Sequence, residues 1–377
     1  MKDNPLRRLG QLGQSVWYDF IRRDLYQGGE LARLIREDGL AGMTSNPTIF
    51  QKAIAETNLY DGDIKTLGAQ GQRPGEIFEG LAVRDVQAAA DVFRPVYDAA
   101  GGNDGFVSIE VQPRLARDTA GTIEEARRLW TRCARPNVMV KIPGTAEGLE
   151  AIRTCLAGGI NINITLLFSV DRYRQVMESY LQAMEGRVAR GLPSGAIRSV
   201  ASFFVSRVDT NADKKLDALA APGSAERAGE VRALRGKLGI ANARVAYEAF
   251  EETFEAPRFR RLAEKGVAIQ RPLWASTSTK DPAFPDLYYV EALIAPQSVD
   301  TMPPETFDAY RDHGDPRVRI HEDLAGAHDT FRRLAALGID TPGIFRELED
   351  EGIKKFADSF DALLAAVAAK EKAVRVA

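Results

Sequence analysis

One lysine is set into an apolar run, Asn137-Val138-Met139-Val140-Lys141-Ile142-Pro143. Alternation with period 2 puts Val138, Val140 and Ile142 on one face of a strand and Asn137, Met139 and Lys141 on the other, and Pro143 then bars further ladder pairing. An ammonium at the end of a buried strand is costly unless it is paired or gives up its proton, so Lys141 is either an ion-pair anchor or a nucleophile. Four other strand-like runs carry polar side chains of one parity at the matching end: Asp19, Glu110, the pair Asn163 and Thr165, and Ser202. That ring of acid, base, amide and hydroxyl favours the nucleophile. A neutral amine attacks a carbonyl, and the protonated Schiff base that results is an electron sink for the carbanion formed when a neighbouring C–C bond breaks. Glu110 and Asp19 are suited to carry the protons of such a reaction. Arg207, Ser276 and Lys280, beyond the sixth and seventh strands, are candidates to hold a phosphate.

Eight strands must position these groups. The patterning predicts them at residues 16–20, 40–44, 106–111, 137–143, 160–166, 199–205, 266–275 and 288–294. Predicted helices lie at 24–36, closed by Gly39, and at 81–99. Another opens on a Thr122/Glu125 capping box, one is capped by Thr145, and a long one spans 170–190. Asn46-Pro47 reads as an N-cap followed by a first helical proline. Segments 60–80 and 211–265 read as insertions, the first polar and outside the core, the second mostly helical. The end of the chain reads as a long amphipathic helix over 344–369. Strands alternating with helices, with polar residues gathered at the C-terminal strand ends, predict an α/β fold: a (β/α)8 TIM barrel in one domain over residues 1–377, with helical insertions and a long C-terminal helix.

The 377 residues are 45% apolar and 27% charged, with a net charge of −3, an ordinary globular balance with no basic excess to attract nucleic acid. The N-terminal segment lacks an apolar signal core, and no apolar run is long enough to span a bilayer, so the expectation is a cytoplasmic protein with no membrane partner. Cys133 and Cys155, both in predicted helices, are expected as small buried side chains and not as a disulfide. His313, His321 and His328 fall in one late segment and on no strand, so no metal site and no cofactor are expected.

Several stretches together resemble the transaldolase family: Gly42-Met43-Thr44-Ser45-Asn46-Pro47, Val140-Lys141-Ile142-Pro143, Asn161-Ile162-Asn163-Ile164-Thr165-Leu166-Leu167-Phe168-Ser169, Ala201-Ser202-Phe203-Phe204-Val205-Ser206-Arg207-Val208-Asp209 and Leu273-Trp274-Ala275-Ser276. The length and the two insertions resemble the longer bacterial members. The resemblance implies the non-oxidative pentose phosphate pathway, with transfer of a dihydroxyacetone unit from sedoheptulose 7-phosphate or fructose 6-phosphate to glyceraldehyde 3-phosphate or erythrose 4-phosphate. It also implies that Lys141 is the Schiff-base lysine, that Glu110 is an acid working through a water with Thr165, and that Asp19 is the base at the hydroxyl beside the scissile bond. Asn46, Asn163 and Ser202 match substrate-binding positions, and Arg207 matches the phosphate arginine. The family's second basic residue has no clean counterpart, and Lys280, four residues past Ser276, is the nearest cation. The partners expected are sugar phosphates, with the chain a monomer or homodimer. Two other readings stay open: a simple aldolase on this scaffold that releases free dihydroxyacetone, and an inactive barrel that binds sugar phosphates.

Overall fold

The computed structural model describes residues 4–220 and 225–376, so positions 221–224 of the second insertion lie outside it. Eight parallel strands close into a barrel in sequence order: β1 (Gln14–Asp19), β2 (Gly42–Thr44), β3 (Phe106–Glu110), β4 (Val138–Pro143), β5 (Ile162–Leu167), β6 (Ser199–Phe204), β7 (Gln270–Ala275) and β8 (Ser298–Met302). The predicted parity of β4 holds. Val138, Val140 and Ile142 join the apolar layer between sheet and helices, while Met139 belongs to a separate inner cluster with Trp17, Phe106, Val200, Leu273 and Val299. This inner cluster is the barrel floor. Trp17 dominates it, and Gly42 on the adjacent strand makes room, since a Cβ there would lie 2.5 Å from the indole. Register then sets Glu110 beside Lys141 and Lys141 beside Asn163 across β3, β4 and β5, and Asp19 beside Thr44 across β1 and β2.

Several sequence expectations are corrected. The eighth strand is Ser298–Met302, and the run predicted for it forms the short helix Tyr288–Ala292. Its aromatic and β-branched residues read as a strand, but a short apolar run carries no periodicity that separates strand from helix. The true β8 was hidden by its polar residues, all buried and bonded: Gln14 Nε2 donates to Ser298 Oγ at 3.0 Å and Thr277 Oγ1 to Asp300 Oδ1 at 2.9 Å. Segment 60–80 is largely helical, comprising Asp61–Ala69 and the start of Pro74–Ala99, and contributes the buried Ile64, Leu67 and Ile77. The helix expected over 24–36 is two, Arg23–Gln27 and Glu30–Asp38, parted at Gly29 with φ +78°. The Thr122/Glu125 box does not form. The helix opens earlier, at Thr119 under an Asp118 cap, Thr122 Oγ1 donates to the Leu115 carbonyl and Glu125 Oε1 accepts from Gln112 N. The Asn46 and Thr145 caps form as expected, with Ile49 N and Gly148 N as donors.

The last helix, Thr341–Val376, is longer than predicted. It packs on the helix Pro47–Ala55 and on the first insertion, where Lys370 Nζ donates to Asp61 and to the Thr57 carbonyl, both at 2.6 Å. Midway it crosses the C-terminal mouth of the barrel, and Phe356 closes onto the inner cluster. Among the described residues no helix is long and apolar enough to cross a membrane.

Candidate active site

A cavity of about 170 Å³ occupies the mouth. Seven of the ten site residues expected from sequence line it: Asp19, Asn46, Lys141, Ser202, Arg207, Ser276 and Lys280. Of the other three, Glu110 and Asn163 flank Lys141 from β3 and β5 and Thr165 lies beside Pro143, with Asn163 and Thr165 fully buried.

Lys141 is 5% exposed. Its Nζ donates to the Ser45 carbonyl at 3.3 Å and stands 3.5 Å from Glu110 Oε2, an ion pair at a separation too long for a strong hydrogen bond. Neither Glu110 oxygen has a hydrogen-bond partner. Burial therefore pushes the Glu110 carboxyl up to about 7, against the pull of Lys141, and the negative charge of Asp19 adds to the rise. Glu110 also borders a small cavity of about 30 Å³ beside Ser45 and Asn46, enough for a water. Thr165 Oγ1 is likewise buried without a partner.

Asp19 is raised by burial too, opposed by Lys141 and by a hydrogen bond from Thr44 Oγ1 to Asp19 Oδ1 at 2.7 Å. Thr44 in turn lies 2.7 Å from Thr301 Oγ1 of β8, so a three-residue chain fixes the Asp19 carboxylate. Ser202 Oγ donates to Asn163 Oδ1 at 2.7 Å, and Asn163 Nδ2 donates to Ser108 Oγ at 3.0 Å, which locks the Asn163 amide. Asn46 spends its Oδ1 on the helix cap, while its Nδ2 has no intramolecular acceptor among the described residues and remains a donor at the cavity.

Opposite this group the rim is cationic. Arg207, in the first turn of the helix Ser206–Ala220, stacks 5.0 Å over the Phe204 ring and has its charged form disfavoured by burial. Ser206 and Ser276 hydroxyls lie 3.0 Å apart, and Ser276 holds φ +57°, a left-handed turn that redirects the chain after β7. Lys280 is exposed at the rim, and partial burial and then Arg207 disfavour its ammonium.

Sequence reasoning missed four contributors. Thr44 shares the inward parity of Asp19 on a predicted strand, so alternation was the available signal there, whereas Thr301 lies on the strand that the sequence pattern hid. Asp209, two residues past Arg207, is buried, is pushed up to about 7 by that burial, and accepts from Gly239 N at 2.7 Å and Tyr289 OH at 2.9 Å. It anchors the Arg207 helix to the second insertion. Phe356 comes from the terminal helix, where no strand pattern could flag it. The three histidines sit at the surface, each against a carboxylate, and Cys133 and Cys155 are buried free thiols.

A closed parallel barrel with a buried amine, two buried carboxylates and a cationic rim at its C-terminal mouth defines a (β/α)8-barrel enzyme. The model of the transaldolase/fructose-6-phosphate aldolase family matches residues 16–367. Proteins named transaldolase from Frankia alni and Thermobifida fusca are 47% and 48% identical over 97% of this chain, covering 97% and 98% of their own lengths. Transaldolase 2 of a Nostoc species is 43% identical over 99% of both chains. The chain belongs to the transaldolase/fructose-6-phosphate aldolase family, and with these relatives it is an enzyme of the transferase class.

Proposed function

We propose that the protein transfers a dihydroxyacetone unit from a ketose phosphate, fructose 6-phosphate or sedoheptulose 7-phosphate, to an aldose phosphate, erythrose 4-phosphate or glyceraldehyde 3-phosphate, in the cytoplasm as part of the non-oxidative pentose phosphate pathway. The observation that carries this reading is Lys141 Nζ, buried 3.5 Å from Glu110, at a cavity whose opposite rim is cationic, in a chain of this family. The Lys141 amine adds to the ketose carbonyl. Glu110, with a water shared with Thr165, protonates the departing hydroxyl so that water leaves and the imine forms. Asp19 takes the proton of the hydroxyl beside the scissile bond. The bond's electron pair moves into the protonated imine, giving an enamine on Lys141, and the aldose phosphate departs. A second aldose phosphate reverses these steps. Asn46, Asn163 and Ser202 orient the sugar hydroxyls, and Arg207, Ser276 and Lys280 hold the phosphate.

The test is borohydride reduction in the presence of fructose 6-phosphate, followed by peptide mass mapping. A reduced three-carbon or six-carbon adduct on Lys141 is expected, and absence of any adduct there overturns the mechanism. Lys141→Arg should abolish turnover, because a guanidinium stays protonated and cannot form the imine. Rapid release of free dihydroxyacetone without an acceptor would replace transfer with simple aldol cleavage.

A further inference from the structure

The end of the barrel opposite the catalytic mouth also opens into a cavity, of about 510 Å³. Its roof is the underside of the inner cluster, Trp17, Phe106, Met139 and Val200, and one wall is Phe259 and Val267, from the helix Pro257–Ala263 and the turn after it. Strand alternation delivers two guanidiniums to the same place. Val200 pairs with Arg271 across β6 and β7 and shares the inward parity of Ser202, so Arg271 points inward at the start of β7, and Arg198, two residues before Val200, does the same ahead of β6. Both line the cavity.

The two arginines differ in what balances their charge. Arg271 Nη2 donates to Ser15 Oγ at 2.6 Å and to the Ser298 carbonyl at 2.5 Å, and its Nη1 lies 3.7 Å from Asp104 Oδ2. Asp104 also accepts from Trp17 Nε1 at 2.8 Å, which holds this carboxylate at the edge of the roof. Arg198 donates only to neutral oxygens, Nε to Asn103 Oδ1 at 2.9 Å and Nη1 to the Gly195 and Ile197 carbonyls at 2.5 and 3.0 Å. Among the described residues its Nη2 has no acceptor, and no carboxylate stands within ion-pair distance of it. One carboxylate against two guanidiniums leaves a single positive charge at the edge of an apolar chamber. Burial disfavours that charge, and no carboxylate opposes the effect.

These features fit one class of ligand. A monocarboxylate offers two oxygens to the guanidinium and supplies the missing negative charge, while an apolar body covers the roof and wall. A sugar phosphate does not fit: its charge of about −2 exceeds that of one free cation, and its hydroxyls would face Phe106, Met139 and Val200 without hydrogen-bond partners. We propose that the N-terminal end of the barrel is a second ligand site, for a small monocarboxylate with an apolar body, seated with that body beneath Trp17 and its carboxylate on Arg198. The inner cluster separates it from the catalytic mouth, and the proposal is independent of the reaction proposed above. Its roof nonetheless belongs to the catalytic strands, since Trp17, Met139 and Val200 stand two residues before Asp19, Lys141 and Ser202.

The experiment is isothermal titration calorimetry of the full chain with cinnamate and with its neutral counterpart, cinnamyl alcohol, comparing wild type, Arg198→Met, Ala263→Trp and Arg207→Ala. Ala263 is exposed on the cavity wall, so a tryptophan there fills the chamber without entering the core. Wild type should bind cinnamate saturably, and Arg198→Met should bind it roughly tenfold more weakly, which is about 1.4 kcal/mol, while binding the alcohol as wild type does. Unchanged alcohol binding also reports that this variant is folded. Ala263→Trp should weaken both ligands, and neither Arg207→Ala nor saturating fructose 6-phosphate should alter cinnamate binding. Absence of saturable cinnamate binding to wild type overturns the proposal. So does displacement of cinnamate by fructose 6-phosphate or its loss in Arg207→Ala, which would place the anion at the catalytic mouth. An equal loss of both ligands in Arg198→Met refutes the carboxylate contact, and undiminished binding in Ala263→Trp refutes the location.

Discussion

Glu110→Gln tests the electrostatics at the centre of the site. Both carboxylate oxygens are buried without a hydrogen bond, and the 3.5 Å ion pair with Lys141 offsets only part of the lost hydration, so the group moves from 4.5 to about 7. Its folded value is raised, so between those limits the folded chain holds the proton more tightly than the unfolded chain does. The stability this contributes is fully present below about pH 4.5 and is lost as the pH rises through about 7. At about 1.4 kcal/mol per pH unit the whole span is on the order of 3 kcal/mol. Glutamine does not ionise and lacks this slope. Urea unfolding of wild type and variant, followed by tryptophan fluorescence from about pH 5 to about pH 8, should show the variant gaining most of that amount relative to wild type as the pH rises. In the same variant kcat/KM should fall by roughly 10²- to 10⁴-fold and lose the limb of its pH profile near 7. Parallel stability curves would refute the reasoning, because a carboxyl that titrates at its ordinary value in the folded chain produces no such divergence.

Asp300→Asn should show the same sign for a residue outside the cavity: Asp300 is buried, pushed from 3.8 up to about 7, and bonded only through Oδ1, so the variant's gain in stability over wild type should open above about pH 4 and be complete above about pH 7. A gain independent of pH would point to packing and not charge. Gly352→Val places branched carbon against Leu166, where even a Cβ would lie at 2.9 Å, and should lower stability by roughly 1–3 kcal/mol while raising KM for fructose 6-phosphate. Wild-type values of both would mean that the terminal helix is not seated through this contact.

The alternation of the strands was legible because barrel strands bury both faces differently: the outer parity of β3, β4 and β5 packs on helices and the inner parity carries the polar ends. Sequence located those three strands to within two residues. It failed at β8, where Ser298, Asp300 and Thr301 face partners that only the closed barrel supplies, so polar residues sit fully buried and the apolar run before them drew the assignment. The first insertion failed for a related reason. Its polar composition is real, but Ile64, Leu67 and Ile77 form a stripe that needs the terminal helix and neighbouring helices as its partners, and the terminal helix begins more than 250 residues later in the chain.

The site divides along the same line. Lys141, Glu110, Asp19, Asn163, Thr165 and Ser202 were recognisable because period 2 ties each side chain's direction to its place in a strand. Arg207 and Lys280 were recognisable through the general rule that late strand ends of such barrels bind phosphate and through the family resemblance, not through strand alternation. Phe356 was not recognisable at all: in a 36-residue amphipathic helix nothing local marks the residue that reaches the cavity. The amine and carboxylates near Lys141 are thus positioned by local strand geometry, while the cationic rim of Arg207 and Lys280 comes from the segments that follow β6 and β7 and faces them only once the barrel has closed.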